Sequence, residues 1–396
     1  MSATEPIRIG VSMSLTGPLG ANGQTAALAQ RIWAEDVNGR GGLLGRRVEI
    51  VCVDDKTDAS VVAGNYEKLL DVDNVDLVVG GYGNNSITPA MPLIMLRKRF
   101  FVGLMGLGVN TRFEYPSYFV MIPTGPRPSA ALTEGLFEVA ARQTPKPATV
   151  AIVAADADFS KNPILGARAN ADRFGLRIVS ERKYPLATKD FAPLIAELRT
   201  PNPDVLLLCS YLPDSIGLVR AVHDVGLEPR IVGGAMIGPQ SSSVQMALGP
   251  LLNGFVNYEY WLPVPKMMYP GVGELIERHQ ARAAAVNADS LGYYVAPLAY
   301  AQMQVLEQCV SATQSLDDDR LARHARDSVF KTVVGDVRFG SGGEWSEPRV
   351  LQVQFRRLQG RGISEFKDAR TRTVVSPMEF VSGELIYPYA RAKSAS

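Results

Sequence analysis

The feature that most constrains this chain is an alternation that runs through twice. Short, nearly all-apolar runs are separated by longer segments with helical periodicity. IRIGVSMS (7–14), VEIVCVDD (48–55), VDLVVGG (75–81) and FFVGLM (100–105) form the first series. Between them lie TAALAQRIWAEDVN (25–38), with Leu28, Ile32 and Trp33 on one side, and ITPAMPLIMLRK (87–98). A further helix after Asp58, its plausible cap, would carry Val61, Val62, Tyr66, Leu69 and Leu70 on its apolar face. After Pro123 the alternation restarts with ATVAIVA (148–154), LRIVSERKYP (176–185), DVLLLCSY (204–211) and RIVGGAM (230–236), with helices expected near 163–174, 191–199 and 215–225. Apolar strands separated by helices imply a parallel sheet covered on both faces. Two such series predict an α/β chain of two doubly wound parallel-sheet lobes.

From about residue 254 onward no third lobe is built. Two helical patterns (271–286 and 296–310) and a β-like stretch (335–357) follow, and these are expected to return and complete the first two lobes. The domain assignment is 1–125 plus 260–335 for the N-terminal lobe and 126–259 plus 336–396 for the C-terminal lobe, with a ligand cleft between them. A chain of 396 residues has the length for two ordinary domains. With 46% hydrophobic and 20% charged residues and a net charge of +1, it gives no reason to expect nucleic acid or an anionic membrane as partner. No apolar run reaches the length of a membrane span. No signal-peptide pattern precedes the first strand, which is consistent with a cytoplasmic chain or with a mature secreted one. Cys52, Cys209 and Cys309 lack metal or redox spacing, and His223, His279 and His324 stand far apart, so neither a metal nor a cofactor is expected.

In open parallel sheets, ligands bind beyond the carboxyl ends of the strands. The loops there are LTGPLGANGQT (15–25), GGYGNNS (80–86) and GLGVNT (106–111) in the first lobe. In the second they are ADADFSKN (155–162), SYLPDS (210–215) and GGAMIGPQSSS (233–243). None fits a dinucleotide fingerprint, a phosphate-binding P-loop or a nucleophile elbow. No base stands beside a nucleophile at a strand end, so an enzyme is not expected and no catalytic residue is assigned. The loops offer backbone N–H groups, small side chains and neutral hydrogen-bonding residues, a setting suited to a carboxylate. Tyr82, Phe159 and Tyr211 supply apolar walls, and Asn22, Thr25, Tyr293 and Tyr294 are further candidates. Asn84, Asn85 or Ser86 is also expected to cap the helix that follows.

The opening 54-residue stretch (7–60) resembles the substrate-binding proteins of ABC importers of the branched-chain amino-acid (Leu/Ile/Val-binding) type, with the type I periplasmic binding protein fold. The motifs are Gly17-Pro18…Gly23, VNGRGGLLG (37–45) and Asp54-Asp55…Asp58, with KDFAPLIAELRTPNPDVLLL (189–208), VRAVHDVGL (219–227) and GDVRFGSGGEW (335–345) further on. The resemblance spans nearly the whole chain but not the tail beyond about Gly360. It implies two lobes joined by three crossings, a small-molecule ligand clamped between them, ABC permease subunits as partners and a monomeric, periplasmic protein.

It also implies that Asn84, with Tyr82, Gly83 and Asn85 around it, stands where the family binds the ligand carboxylate. Gly106, Leu107 and Gly108 occupy the next loop, and Phe159 and Tyr211 take the place of the second lobe's aromatics. Ala235 or Met236 replaces the acid that pairs with an α-ammonium. Gly83 stands where a disulfide partner of Cys52 is expected. A buried ammonium without a counter-charge costs several kcal/mol. The expected ligand is therefore a carboxylic acid lacking that group, preferably aromatic, enclosed by Tyr82, Phe159, Tyr211 and Met236. The alternatives are branched-chain or other amino-acid binding, or a cytoplasmic sensor of amide-type ligands on the same fold.

Overall fold

The computed structural model describes residues 5–394. The chain forms two compact units, one from Met1–Pro126 and Met267–Pro348, the other from Arg127–Lys266 and Arg349–Ser396, so it passes between units three times. Two passages fall later than expected. Residues 260–266 belong to unit 2, where the Lys266 ammonium donates to the Glu379 carbonyl at 2.7 Å. Residues 336–348 belong to unit 1, because Val120 N donates to the Gly343 carbonyl at 3.0 Å and the Phe339 ring lies 5.0 Å from that of Phe119.

In unit 1, β1 (Ile7–Met13), β2 (Val48–Asp54), β3 (Leu77–Val79), β4 (Phe101–Gly103) and β5 (Tyr118–Val120) form one parallel sheet in the order β2-β1-β3-β4-β5. Ile7, Ile9, Val11 and Met13 of β1 are fully buried, as are Ile32 and Trp33 of the helix Gly20–Gly39. That helix begins at Gly20, earlier than expected, so Asn22 and Thr25 are helical, not loop, residues. Asp58 does cap the next turn, accepting from Ser60 N. The segment that follows is a six-residue helix, Val62–Glu67, widened at its end, with Tyr66 and Leu69 buried but Val61 exposed. The order reverses at β1, with β2 on one side and β3 on the other, so the loops after β1 and β3 are brought together.

Unit 2 repeats the order. The parallel strands β6 (Thr149–Ala155), β7 (Arg177–Tyr184), β8 (Val205–Ser210), β9 (Ile231–Met236) and β10 (Val256–Glu259) run β7-β6-β8-β9-β10, with the reversal at β6.

The returning chain adds the helices Val272–Arg282 and Ala296–Thr313 and the hairpin β11 (Val329–Thr332)–β12 (Gly335–Arg338) to unit 1. It then adds β13 (Leu351–Phe355), antiparallel to β10, and β14 (Arg372–Ser376), antiparallel to β13, to unit 2. The tail ends in the helix Tyr389–Ser394, where Tyr389 is buried against His223 and Phe255. Among the described residues no helix is long and apolar enough to cross a membrane, and no cluster of metal-ligating side chains occurs. All three cysteines are free, and burial pushes the thiols of Cys52 and Cys209 up to about 12.

Candidate functional site

In unit 1 the candidate residues gather at the carboxyl edge of the sheet, and Asp54, which ends β2, and Asp55, the next residue, hold the loops there. Asp54 Oδ1 accepts from the N–H groups of Leu15 (2.9 Å), Thr16 (3.2 Å) and Lys56 (2.8 Å), and Oδ2 accepts from the Thr16 hydroxyl (2.7 Å). Burial raises this carboxyl, but the hydrogen bonds from Thr16, Lys56 and Leu15 outweigh it and hold it below the usual carboxylate range. Asp55 is 1% exposed. Its Oδ1 accepts from Ser14 Oγ at 2.6 Å and Thr57 N at 2.9 Å, and its Oδ2 from Ser86 Oγ at 2.5 Å.

The stretch after β3 is built differently from the sequence expectation. The short helix Asn84–Ile87 has Gly83 at its N-cap and no side-chain cap, so none of Asn84, Asn85 and Ser86 serves that role. The Ser86 hydroxyl is fully buried on Asp55. The Asn84 amide is turned onto the next loop, where Oδ1 accepts from Leu107 N at 2.8 Å and Nδ2 donates to the Leu107 carbonyl at 3.0 Å. Asn84 and Ser86 thus hold loops in place, and Asn85 alone of the three is exposed.

The glycines also divide into two kinds. A Cβ on Gly81 would lie 2.1 Å from the Ser12 carbonyl oxygen, so this residue lets the chain cross β1 closely. Gly83 has φ 82 and ψ 169, a conformation open essentially to glycine alone, with open space where its side chain would be. Gly106 and Leu107 are buried, and Gly108 is half-buried with φ 63.

The aromatic wall of unit 1 is Tyr82 with Tyr294. The rings meet edge to face, 6.2 Å apart at 82°, and Tyr82 donates its hydroxyl to Tyr294 Oη at 3.2 Å. Asn22 Nδ2 donates to Tyr82 Oη at 2.8 Å, which ties the helix after β1 to the loop after β3. Tyr82 is 4% exposed and Tyr294 half-buried.

In unit 2 the corresponding edge is held by hydroxyls and by a second buried carboxylate, Asp214, 5% exposed, whose Oδ2 accepts from the Tyr184 hydroxyl at the end of β7 at 2.5 Å. Phe159, at the start of the helix Asp158–Phe174, donates its N–H to Tyr211 Oη at 3.3 Å, and the rings lie 5.8 Å apart at 68°. Both are half-buried. Ser215 Oγ bonds Ser210 Oγ at 2.7 Å, accepts from Gly238 N at 3.2 Å and donates to the Tyr211 carbonyl, which joins the loops after β8 and β9. Met236 ends β9 fully buried, with its backbone paired to the Asn257 amide at 3.1 and 2.8 Å.

Two residues that sequence reasoning missed stand at this edge. Gln240 is 4% exposed, donates to the Tyr258 carbonyl at 3.1 Å and has no hydrogen-bond partner for its Oε1 among the described residues. Glu259, 1% exposed, is the last residue of β10, two residues beyond the Asn257↔Gly234 pair with β9. An acid therefore does stand at the edge, one strand over from where it was sought. The signal for Gln240 was its place two residues after Gly238, in the loop GGAMIGPQSSS, whose neutral hydrogen-bonding residues suit a ligand but do not single it out. Glu259 lies in VNYE, a four-residue strand with no alternation to mark it.

The protein resembles known proteins along most of its length. Leu/Ile/Val-binding protein homolog 8 of Brucella abortus (strain 2308) is 25% identical over 372 residues, covering 89% of this chain and 91% of that one. LivJ of Streptococcus pneumoniae str. Canada MDR_19A, a branched-chain amino acid transporter substrate binding protein solved with isoleucine, has a TM-score of 0.75 at 14% identity, covering 97% of this chain and 100% of that one. A solute binding protein of an ABC transporter from Rhodopseudomonas palustris BisB5, solved with 3,4-dihydroxy benzoic acid, has a TM-score of 0.70 at 16% identity, covering 89% and 92%. Residues 6–351 match the periplasmic binding protein family as a whole, and with the strand order and edge loops described above the chain belongs to that family.

Proposed function

We propose that this protein is the solute-binding subunit of an ABC importer, acting as a monomer outside the cytoplasmic membrane, and that its ligand is a small aromatic carboxylic acid without an α-ammonium group. The observation that carries this reading is the aromatic pair at the carboxyl edge of each sheet, Tyr82 with Tyr294 and Phe159 with Tyr211. Aromatic rings prefer such edge-to-face partners, and a ligand ring can extend each pair. The end of β9 supports it, since Met236 is buried there and Gln240 offers an amide instead of a charge. The R. palustris relative, solved with a dihydroxybenzoic acid, adds support from the same fold. The polar side chains Asp55, Ser86 and Asn84 hold loops, which favours a binder over a catalyst. The ligand would pass to a membrane permease.

A second reading, a branched-chain amino acid, is favoured by Glu259 and by the binding named for the relatives. Thermal-shift titration separates the two, because a ligand that binds only the folded state at 100 times its Kd adds about 2.7 kcal/mol of stability. Benzoate and 3,4-dihydroxybenzoate are expected to raise the Tm, and leucine and isoleucine to leave it unchanged. The reverse outcome would replace the aromatic acid with the amino acid and make Glu259 the ammonium partner.

A further inference from the structure

We propose that Asp55 is a positioning residue, one buried carboxylate that sets the ligand-facing loops of unit 1. The inference rests on the reading of those loops as ligand contacts, but its geometry stands by itself. A carboxylate that is 1% exposed is expensive to keep, and an uncharged residue would avoid that cost. Asp55 is met here by two hydroxyls and a backbone N–H, each from a different part of the edge. Ser14 belongs to the loop after β1, Thr57 to the loop after β2, and Ser86 to the short helix after β3. Ser14 and Ser86 are themselves fully buried, and their hydroxyls lie 3.4 Å apart.

From Ser86 the restraint passes along one helical turn to Asn84, whose amide grips both backbone groups of Leu107. The loops after β1, β2, β3 and β4 are thereby fastened together by side-chain hydrogen bonds joined through the backbone of the short helix Asn84–Ile87. Tyr82 and the open Gly83 stand directly before its middle link. Hydrogen bonds to a charged acceptor are roughly twice as strong as neutral ones, so the chain is anchored at its strongest point. A loop held in its bound shape gains affinity by losing less entropy on binding.

Hydrogen exchange by mass spectrometry tests this without a ligand. In Asp55→Ala, the amides of residues 82–88 and 106–109 are expected to exchange at least tenfold faster, while β1 and β3 keep their protection. The isosteric Asp55→Asn retains one acceptor and is expected to recover part of the loss. Ser86→Ala, which leaves the carboxylate in place, is expected to loosen residues 82–88 to a smaller degree, and it serves if Asp55→Ala does not fold. A loop exchange rate unchanged in these variants overturns the proposal, as does a uniform rise across unit 1, which marks a merely structural role. The binding arm uses whichever of 3,4-dihydroxybenzoate and leucine stabilises the wild type, and Asp55→Ala is expected to weaken it at least tenfold. If neither binds, the functional reading fails and the exchange result still decides for or against Asp55.

Discussion

The two sheets share a strand order, reversing at β1 in one unit and at β6 in the other, yet their carboxyl edges are tied to different degrees. In unit 1 the fastening group is an acceptor-only carboxylate, Asp55, reinforced by Asp54 and by the Asn84 amide. In unit 2 a serine hydroxyl, Ser215, joins the loops after β8 and β9, and the buried Asp214 takes one hydroxyl, that of Tyr184, with the Phe159–Tyr211 contact beside them. A typical neutral hydrogen bond adds about 1 kcal/mol of net stability and one to a charged group about 1.5–3. Asp55 collects three donors from three segments and Asp214 one, so the same topology supports a stiff edge and a more adaptable one. The first suits recognition of a fixed polar group and the second suits accommodation of an apolar body.

The units also differ in what completes them, and this difference should show the largest effect. Unit 1 is closed by the hairpin β11–β12, whereas the sheet of unit 2 needs β14 and the tail. Phe366 and Val374 are fully buried, and Phe380 and Tyr389 are 4% and 2% exposed. Burying such side chains contributes about 1.5–3 kcal/mol each, against a total stability of about 5–15 kcal/mol for a domain. A chain ended at Gly360 is therefore expected to lose the cooperative unfolding of unit 2 and to aggregate, as read by calorimetry and light scattering. A soluble truncated chain with an unchanged melting profile would show the tail to be dispensable.

A smaller effect separates the histidines. In unit 2, the His223 Nε2 has the Leu251 carbonyl at 2.8 Å. In unit 1, His279 is fully buried, packed against Gly292, and neither nitrogen has a hydrogen-bond partner among the described residues. Burial lowers His279 from 6.5 to about 4, against the opposing pull of the Asp289 carboxylate. A histidine depressed in the folded state takes up its proton first in the unfolded chain, so its contribution is complete above pH 6.5 and is lost as pH falls toward 4. At about 1.4 kcal/mol per pH unit, roughly 3 kcal/mol disappears across that window. Urea unfolding between pH 7 and 4 should show that slope, and His279→Leu should flatten it. An equal slope in the variant would assign the acid sensitivity to other groups.

The architecture was legible in the sequence wherever a strand was long and apolar. IRIGVSM, TVAIVAA, VLLLCS and IVGGAM lie in the expected places because burial on both faces leaves little room for polar residues, and the edge strand VEIVCVD, mostly half-buried, is legible from its apolar run. What escaped was short or held by distant pairing. The strand YFV has three residues, VNYE four, and RTVVS sits in a tail that only its partner β13 makes extended. At the candidate edge, the loops and aromatics could be read in order, but the direction of each side chain could not. Asn84 and Ser86 look like free donors in GGYGNNS, and only the fold shows them turned onto Leu107 and Asp55. Asp55 itself looked like part of a motif with no task, since its three partners come from residues 14, 57 and 86.

The mildest way to sharpen the contrast is Ser215→Ala. The hydroxyl is fully buried and joins Ser210, the Tyr211 carbonyl and Gly238 N, so its removal leaves neutral groups short of one partner each. With no charge stranded, the expected loss is about 1 kcal/mol, measured by chemical unfolding. Hydrogen exchange should rise at residues 211–216 and 237–241 while residues 82–88 stay protected. If Ser215→Ala instead loosens its edge as much as Asp55→Ala loosens the other, the charge on Asp55 gives unit 1 no special stiffness.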